Sequence, residues 1–425
     1  MRLSTCFRVI RCAARENLNS FRSFLAGLRG QSFTPEHDFI YVRTYDEWQK
    51  AVAVLKDNPS VAVDLEANSL HYYPESICLI QLGCPGYHFI VDPEAVGDGE
   101  LLRDLFGDER IEKIFHSCDY DMRSLFRDYH AEVKNIFDTA VAAQFLGSTH
   151  TGLGAVIKEY LGIDIVKDKK LQQMNWGERP LPDEALRYAV NDIAYLLKLA
   201  KRQKALLKKC GRLAWVTEES ERMAKMRFKE PLPDNIAFSI IKGWHALSPK
   251  ELAIFRAIFQ MRERIALRRH RPPFKVLGSQ TMFYLARNPR CDLSKVTGLG
   301  PFFLRHHGQE LRETLRMAEK LPPFVVVEFK KELPVWRRPS MERMGKLKDW
   351  RVKKGEELNL EPSLIWPSSS LERLSLYPEK RKAEFNEPQE DTRDWQRAAF
   401  SNELEALPVW EEGAEASPRV PAVRS

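Results

Sequence analysis

The sequence predicts an α/β protein in which a mixed sheet is covered by helices, followed by two small all-α domains. Three observations lead to this fold class. A strand at residues 61–66 precedes two apolar runs separated by a Pro85-Gly86 turn, which predicts an antiparallel meander. Helix and strand patterns then alternate over residues 100–146, as in sheets covered by helices. In the second half, apolar positions recur after 89 residues, as Leu252 and Met341 illustrate.

Length and composition bound the class of protein. With 425 residues, 44% hydrophobic and 29% charged, the chain can bury a sizeable core and should form about two to four domains. No stretch approaches the roughly 20 consecutive apolar residues of a membrane span, which predicts a soluble protein without a membrane role. The net charge is +7, but residues 201–275 hold 19 Lys and Arg against 7 Asp and Glu. That surplus indicates a polyanionic partner, or else a solvated helical surface.

The cysteines and the N-terminus bear on the cellular compartment. Seven scattered cysteines without a C-x-x-C pair predict reduced thiols in a cytosol-like compartment and do not support a zinc site. Residues 1–35 contain six arginines and a single acid, Glu16. This pattern fits an organelle-targeting peptide, an over-long start or a basic arm. We predict a cytoplasmic protein, with an organellar location as the alternative, and a disordered basic extension at residues 1–37.

Each element of the α/β half follows from a local signal. Residues 39–42 read as a strand, and Thr44 caps a helix with acids in its first turn. Beyond the meander, strands are expected at residues 113–116 and 136–138, and helices near residues 100–106, 120–128, 140–146 and 152–160. A long helix begins after Pro182 and runs to about residue 209, where Gly211 ends it and closes a domain at residues 38–211.

Acidic residues at three points of this half suggest its chemistry. Side chains alternate between the faces of a strand, so Asp64 and Glu66 share one face. Asp121 is the preferred acid where a strand ends and a helix begins, a position that stabilises carboxylates, and Asp119 is the alternative.

The third point is the long helix, where Tyr188 and Asp192 are four residues apart and share a face. Asp192 stands among apolar residues, where an unpaired carboxylate would be costly to bury. Four converging acids would repel one another unless a cation neutralised them, and hard oxygen ligands select Mg²⁺ or Mn²⁺. Two such ions promote in-line displacement at a phosphodiester, and a neighbouring tyrosine hydroxyl can orient the attacking water.

Together these motifs resemble the DEDD superfamily of 3′–5′ exonucleases. The sequence has D-x-E from Asp64, F-H-x-x-x-x-D ending at Asp121, and Y-x-x-x-D from Tyr188. The histidine-bearing branch would carry histidine where Arg187 stands, so the tyrosine-bearing branch is indicated. The resemblance implies a ribonuclease H-like exonuclease domain in which Tyr188 orients water and two divalent cations, Mg²⁺ or Mn²⁺, are bound by Asp64, Glu66, Asp121 and Asp192.

Connecting motifs narrow the resemblance to bacterial ribonuclease D. They are Phe137-Asp138-Thr139, Asp168-Lys169-Lys170-Leu171-Gln172, Asn175-Trp176 and Arg179-Pro180-Leu181. One departure is Asn175, where the family commonly carries aspartate. Because this position lies outside the four acids, we expect metal binding to persist.

The repeat adds two helical domains. The first copy, residues 248–320, contains Pro272-Pro273-Phe274 and Gly298-Leu299-Gly300 and resembles the HRDC domain, a nucleic-acid-binding module. The second, residues 340–408, lacks the Gly-x-Gly turn and is predicted as a degenerate copy. Residues 212–247 are predicted as linker helices and residues 409–425 as a disordered tail. Basic residues of the first copy are expected to contact RNA phosphates without reading sequence, or else to form a solvated helix end: Arg262, Arg264, Arg268, Arg269, Arg271 and Lys275.

The resemblance implies a metal-dependent 3′–5′ exoribonuclease that releases nucleoside 5′-monophosphates and trims structured RNA such as tRNA precursors. A 3′–5′ DNA exonuclease of the same superfamily is a rival, since the catalytic motifs act on the same phosphodiester in either sugar. A non-catalytic RNA-binding adaptor is a second rival, which the presence of all four acids and the tyrosine disfavours. No sequence feature predicts a membrane contact or an obligate protein partner.

Overall fold

The computed structural model describes residues 38–165, 168–325 and 340–410. The predicted N-terminal extension and most of the predicted C-terminal tail lie outside the described residues. Within the described ranges, no helix combines the length and the apolar character that crossing a membrane requires.

A six-stranded mixed sheet forms the centre of the α/β half, in the order β1-β4-β3-β2-β5-β6. Its strands are β1 (Ile40–Val42), β2 (Ser60–Ala67), β3 (Ile77–Cys84), β4 (Tyr87–Val91), β5 (Glu112–Phe115) and β6 (Ile136–Asp138). Strand β3 is antiparallel to β2 and β4, whereas β1, β5 and β6 pair in parallel with their neighbours. The predicted meander and mixed sheet are therefore confirmed.

Helices cover both faces of this sheet. They are α1 (Tyr45–Lys56), α2 (Pro93–Val96), α3 (Glu100–Gly107), α4 (Asp119–Tyr129), α5 (Thr139–Phe145), α6 (Leu153–Leu161), α7 (Lys169–Gln172), α8 (Asp183–Ala194), α9 (Leu196–Lys209) and α10 (Leu213–Ala224). Residues of α1, α3 and α4 share a core with Val61, Val63 and Leu65 of β2. Ala62, on the opposite face of β2, packs with α5, α6 and α9. Strand β2 is thus buried on both faces over residues 61–63, and its two acids lie in the half that leads to its carboxyl end.

The long helix predicted from residue 183 to 209 is in fact two helices. Tyr195 separates α8 from α9, with φ −104° and ψ −9°. Val190 of α8 packs against Leu79 and Ile90 of the sheet, whereas Leu199 of α9 packs among residues of α5 and α6. The prediction of one continuous helix was wrong because each half packs against a different part of the domain, which helical periodicity does not reveal.

Two helical domains follow at the predicted repeat. The first contains α11 (Pro249–Arg269), α12 (Pro273–Val276), α13 (Ser279–Arg287) and α14 (Pro301–Ala318). The second contains α15 (Met341–Leu358), α16 (Pro362–Ile365), α17 (Ser368–Leu376), α18 (Arg381–Asn386) and α19 (Asp394–Glu405). Helices α13 and α17 are both nine residues long and begin 89 residues apart. The 89-residue offset therefore describes a repeat of helices as well as of apolar residues.

The segment predicted as linker helices begins with a helix that belongs to the core of the α/β half. Val216 of α10 is fully buried beside residues of α5 and α9, and Met223 packs against the core on the other side of the sheet. Only after α10 does the chain loosen, with short 3₁₀ turns at Ala237–Ile240 and Trp244–Ala246.

Candidate active site and nucleic-acid surface

Asp64 and Glu66 lie near the carboxyl end of β2, on the face that α8 covers. On the same face of β3, Gly83 pairs with Ala62, and a Cβ at Gly83 would lie 3.4 Å from both the Ala62 Cβ and the Ile193 Cδ1 of α8. The glycine therefore lets α8 approach the sheet closely. This close approach brings the acid of α8 to the two acids of β2.

Asp192 of α8 completes a compact group with the acids of β2. One carboxylate oxygen each from Asp64, Glu66 and Asp192 can be chosen so that all three lie within 4.8 Å of one another. Tyr188 lies one turn earlier on α8, half-buried, and its pKa is raised by burial and then by the charges of Asp192, Glu66 and Asp64. The predicted tyrosine is thus close to the predicted acids, and its hydroxyl stays protonated near neutral pH.

Asp121 faces the same group from the first turn of α4. The loop before α4 is fixed to the end of β6, because Asp138 accepts a hydrogen bond from the Cys118 backbone N–H at 2.8 Å and His116 Nδ1 lies 2.8 Å from Thr139 Oγ1. Asp121 is 7% exposed. Asp119, the alternative, instead pairs on the surface with Arg123 at 2.9 Å. The structure therefore places Asp121, and not Asp119, among the acids.

Burial and the neighbouring acids raise the pKa values of three of these carboxyl groups. Burial and then the charges of Asp192, Asp121 and Glu66 raise the pKa of Asp64 well above its usual value. Burial, followed by the charges of Asp192 and Asp121, raises the pKa of Glu66 in the same way. Burial and the neighbouring Asp138 raise the pKa of Asp121 to about 7. These are the shifts expected where several carboxylates converge with their charge uncompensated.

This donor set fits hard divalent cations. Carboxylate oxygens of Asp64 and Glu66 on β2 and of Asp192 on α8 converge within metal-ligand reach, and these grouped ligands include no sulfur or imidazole. A cation would remove the electrostatic cost that the raised pKa values report. Asp64, Glu66, Asp121 and Asp192 are the residues that would hold it.

An ion pair anchors the segment that packs against the tyrosine. Arg179 Nε donates to Asp92 at 2.6 Å, and its Nη2 donates to the Cys78 carbonyl oxygen of β3 at 2.8 Å. The neighbouring Trp176 is buried, with its ring 6.2 Å from that of Tyr188. Asn175, the departure from the family pattern, donates to Glu178 at 2.8 Å and is not one of the grouped acids.

The basic residues predicted to contact RNA have different environments. Arg264, Arg271 and Lys275 are exposed. Arg268 pairs with Glu310 at 2.8 Å, and the Arg269 guanidinium lies 4.7 Å from the centroid of the Phe302 ring.

Arg262 does not fit its predicted role as a phosphate contact. Its side chain is 7% exposed, pairs with Glu263 at 2.7 Å and donates to Met282 Sδ at 3.4 Å. Arg351, 89 residues later, likewise points into its own domain and donates to the Trp366 carbonyl oxygen and Ser368 Oγ. The repeat thus uses this arginine to hold its own helices together, and the prediction for Arg262 was wrong because sequence alone does not report burial.

Sequence reasoning missed Gln81 of β3. It pairs directly with Asp64 in the β2–β3 register and is fully buried. Both amide atoms of its side chain have no hydrogen-bond partner among the described residues. The available signal was a single polar residue within the apolar strand Ile77–Cys84.

The domain content agrees with known families. Residues 39–208 match a family model described as 3′–5′ exonuclease, and residues 251–315 match the HRDC domain. A ribonuclease D from Pseudomonas paraeruginosa is 29% identical over 330 residues, which is 76% of this chain and 86% of that protein. Another, from Granulibacter bethesdensis, is 28% identical over 83% of this chain and 88% of that protein.

Solved structures show the same fold. Escherichia coli RNase D has a TM-score of 0.63 at 21% identity and aligns over 87% of this chain and 98% of its own. The catalytic core of RRP6 from Trypanosoma brucei has a TM-score of 0.58 at 27% identity, covering 68% of this chain and 83% of that one. The order of exonuclease and HRDC domains, the fold and the extended similarity agree with one another. The chain is therefore similar to ribonuclease D along most of its length, with a 3′–5′ exonuclease domain followed by an HRDC domain.

Proposed function

We propose that this protein is a metal-dependent 3′–5′ exoribonuclease that removes nucleoside 5′-monophosphates from the 3′ ends of tRNA precursors or other structured RNA. The observation that carries the proposal is the convergence of Asp64, Glu66 and Asp192, with Asp121 facing them and Tyr188 alongside. The names of the relatives, ribonuclease D, support RNA as the substrate.

The four acids are proposed to bind two divalent cations, Mg²⁺ or Mn²⁺. When bound, the cations supply positive charge that lowers the pKa of an attacking water and stabilises the leaving 3′ oxygen. Asp64 and Glu66 are presented by a strand buried on both faces, so their positions are fixed before the substrate arrives. Asp192 and Asp121 approach from two helices, which gives the site three independent rigid supports.

Tyr188 is proposed to orient the attacking water. Because burial and then the nearby carboxylates raise the pKa of its hydroxyl, the tyrosine keeps its proton near neutral pH and can donate a hydrogen bond. Trp176, held in place by Arg179, packs against its ring and limits its movement.

RNA is proposed to be held away from the acids by the first helical domain. Arg264, Arg268, Arg269, Arg271 and Lys275 supply phosphate contacts there, which position a strand without reading its sequence. A cytoplasmic location is also proposed, and it is supported by the free thiols of all five described cysteines.

Substitution of the acids tests this function. Asp64→Asn and Asp192→Asn should each lower the rate of 3′-end shortening on the order of 10³-fold, because a carboxamide cannot supply the negative charge. Tyr188→Phe should lower it about 10²-fold. Asp119→Asn is the matched control, since this acid lies two residues from Asp121 but pairs with Arg123 on the surface. Full activity in Asp64→Asn would contradict the assignment.

A second experiment separates RNA from DNA. Matched oligonucleotides of the two sugars, each in the presence of Mg²⁺ or Mn²⁺, should show preferential shortening of RNA. Equal or faster shortening of DNA would favour the rival repair-type exonuclease. Failure to bind divalent ions by calorimetry would instead favour the non-catalytic adaptor.

A further inference from the structure

A cavity of about 380 Å³ lies between the exonuclease domain and the first helical domain. Tyr72, His71 and Asn175 line it from the exonuclease side, and Arg271 and Lys275 line it from the helical side. The cavity is thus built by two domains that are distant in sequence and has a basic wall opposite an aromatic one.

The basic wall contains two cationic side chains that have no partner among the described residues. Arg271 and Lys275 are exposed, and within residues 38–165, 168–325 and 340–410 their side chains form no hydrogen bond or ion pair. An acid on the opposite wall, Glu178, accepts a hydrogen bond from Asn175 at 2.8 Å. Two cations beside an open cavity favour an anionic ligand such as a phosphodiester.

The aromatic wall packs against the loop that contains Gly177. The ring of Tyr72 lies against Gly177, where an added Cβ would be 3.1 Å from Tyr72 Cε2. His71 Nε2 lies 3.0 Å from the Gln173 carbonyl oxygen, which ties the two loops together. Tyr72 is nevertheless 37% exposed. A partly exposed aromatic ring that packs on a neighbouring loop is a surface on which a nucleobase stacks without regard to its identity.

Both exonuclease loops at the cavity also lead to the active site. Tyr72 lies in the loop that follows β2, six residues after Glu66. Asn175 precedes Trp176, whose ring packs near Tyr188. A strand whose 3′ end is at the acids therefore has a short route along these loops to the cavity.

We propose that the cavity binds one nucleotide of the RNA strand upstream of the cleaved 3′ end, with its phosphate at Arg271 and Lys275 and its base on Tyr72. The inference rests on the proposed exoribonuclease function and adds a subsite to it. It explains why the basic edge of the first helical domain faces the exonuclease domain.

The experiment measures RNA binding without cleavage, by fluorescence anisotropy of a labelled single-stranded 12-nucleotide RNA in the full-length Asp64→Asn protein. The Arg271→Gln/Lys275→Gln variant should weaken binding about tenfold. The control is Arg316→Gln/Lys320→Gln, which removes two exposed charges from the same domain. The two control residues lie near the start of α11, whereas Arg271 and Lys275 follow its end. Lys250, at the start of α11, donates to the carbonyl oxygens of Glu319 and Leu321, on either side of Lys320, at 2.6 Å.

Tyr72→Ala tests the stacking half of the proposal. It should weaken binding of intact RNA severalfold and leave binding of RNA with an abasic site at the stacked position unchanged. In the otherwise native enzyme, the Arg271/Lys275 variant should raise KM for the 12-nucleotide RNA but not for a dinucleotide. Equal weakening by the control variant, or equal losses on long and short substrates, would overturn the proposal. Absence of hydrolysis in the native enzyme would reject the proposed function, while the anisotropy result would still decide the subsite.

Gln81 carries a second inference, independent of the cavity. Its side chain shares a face with Asp64, directly opposite in the register, and its amide is fully buried without a partner in the described structure. Buried polar groups in folded proteins almost always have a hydrogen-bond partner, so an orphaned amide beside an acid site calls for one. We infer that Gln81 is a positioning residue whose amide holds the ionised Asp64 carboxylate in its ligand orientation through a bridging water.

Calorimetric titration of the full-length protein with Mn²⁺ tests this role. Gln81→Leu preserves volume and should lower Mn²⁺ affinity about tenfold, the usual effect of losing a group that orients a metal ligand. Ile80→Val, on the opposite face of β3, is the control for general damage to the strand. Unchanged affinity in Gln81→Leu, or an equal loss in Ile80→Val, would overturn the inference.

Discussion

The two helical domains repeat one arrangement of helices but are joined to the exonuclease domain in different ways. The core of the second domain is continuous with that of the exonuclease domain. The Trp395 ring stacks on that of Trp215, with 4.6 Å between the ring centroids, and its centroid lies 5.2 Å from that of Phe145. The first domain has a separate core, and a hydrogen bond of 2.9 Å from Tyr73 to Glu263 links it to the exonuclease domain.

The two domains also differ in charge. Residues 248–320 hold 15 Lys and Arg against 6 Asp and Glu, whereas residues 340–408 hold 12 against 14. The positive surplus is confined to the copy that is joined by polar contacts. The difference suggests a division of labour, in which the second domain stabilises the exonuclease domain and the first contacts the substrate.

The largest expected effect comes from the shared core. Trp395→Ala should lower the free energy of unfolding of the exonuclease domain by about 3–5 kcal/mol, because it empties a buried interface. Phe255→Ala, in the separate core of the first domain, is the matched variant and should destabilise that domain alone. Urea unfolding, followed together with dinucleotide hydrolysis, measures both. If Phe255→Ala lowered the urea midpoint of the exonuclease domain as much as Trp395→Ala, the two helical domains would not differ in how they are joined to the exonuclease domain.

The next largest effect is a pH dependence of the free energy of unfolding, which should be confined to the exonuclease domain because that domain contains the four acids. Raised pKa values mean that the folded, metal-free protein binds more protons than the unfolded chain. This contribution to stability is full below the unfolded carboxyl pKa of about 4 and is lost as pH rises through about 7, the pKa of Asp121. We expect a loss on the order of 3 kcal/mol between pH 5 and pH 8 in EDTA.

Urea unfolding at several pH values checks this expectation. The Asp121→Asn variant serves as the reference, since it keeps the protein's other titrating groups and should show a flatter profile. Mg²⁺ in large excess should restore stability at pH 8 by binding only the folded state. If the urea midpoint of the first helical domain changed with pH in parallel with that of the exonuclease domain, the separation of the two cores would be contradicted.

A smaller effect distinguishes the charges of the two repeats. Arg264 and Lys353 are 89 residues apart, both exposed, and occupy equivalent positions in α11 and α15. Arg264→Gln should weaken RNA binding by about 1 kcal/mol and reduce the dependence of log K on log salt concentration by about 1. Lys353→Gln should leave both unchanged. Salt titrations of binding give the slopes, and equal slopes for the two variants would argue against a specific role of the first domain.

The smallest effect concerns the contact between the exonuclease and first helical domains. Tyr73→Phe removes the hydroxyl that donates to Glu263 and should cost about 1 kcal/mol of interdomain coupling. A double-mutant cycle with Glu263→Gln isolates the pair, with stability of the first domain as the measurement. Coupling near zero would mean that other contacts hold this domain in place.

Local sequence was sufficient for much of the fold and of the candidate site. Thr44 was predicted to begin a helix and forms a capping box with Glu47. The alternation along β2 put Asp64 and Glu66 on one face, and the spacing of Tyr188 and Asp192 put them on one turn of α8. These features depend on neighbours within a few residues, and strand and helix periodicity report them directly.

Tertiary structure alone decided which of those residues meet and which are buried. The break at Tyr195, the burial of Arg262, the choice of Asp121 over Asp119 and the orphaned amide of Gln81 all depend on elements far apart in the chain. Similarly, the repeat predicted two related helical domains, but not that, among the described residues, the second shares its core with the exonuclease domain and the first does not. Periodicity identifies the apolar face of a helix, whereas the partner of that face is set by packing across the whole fold.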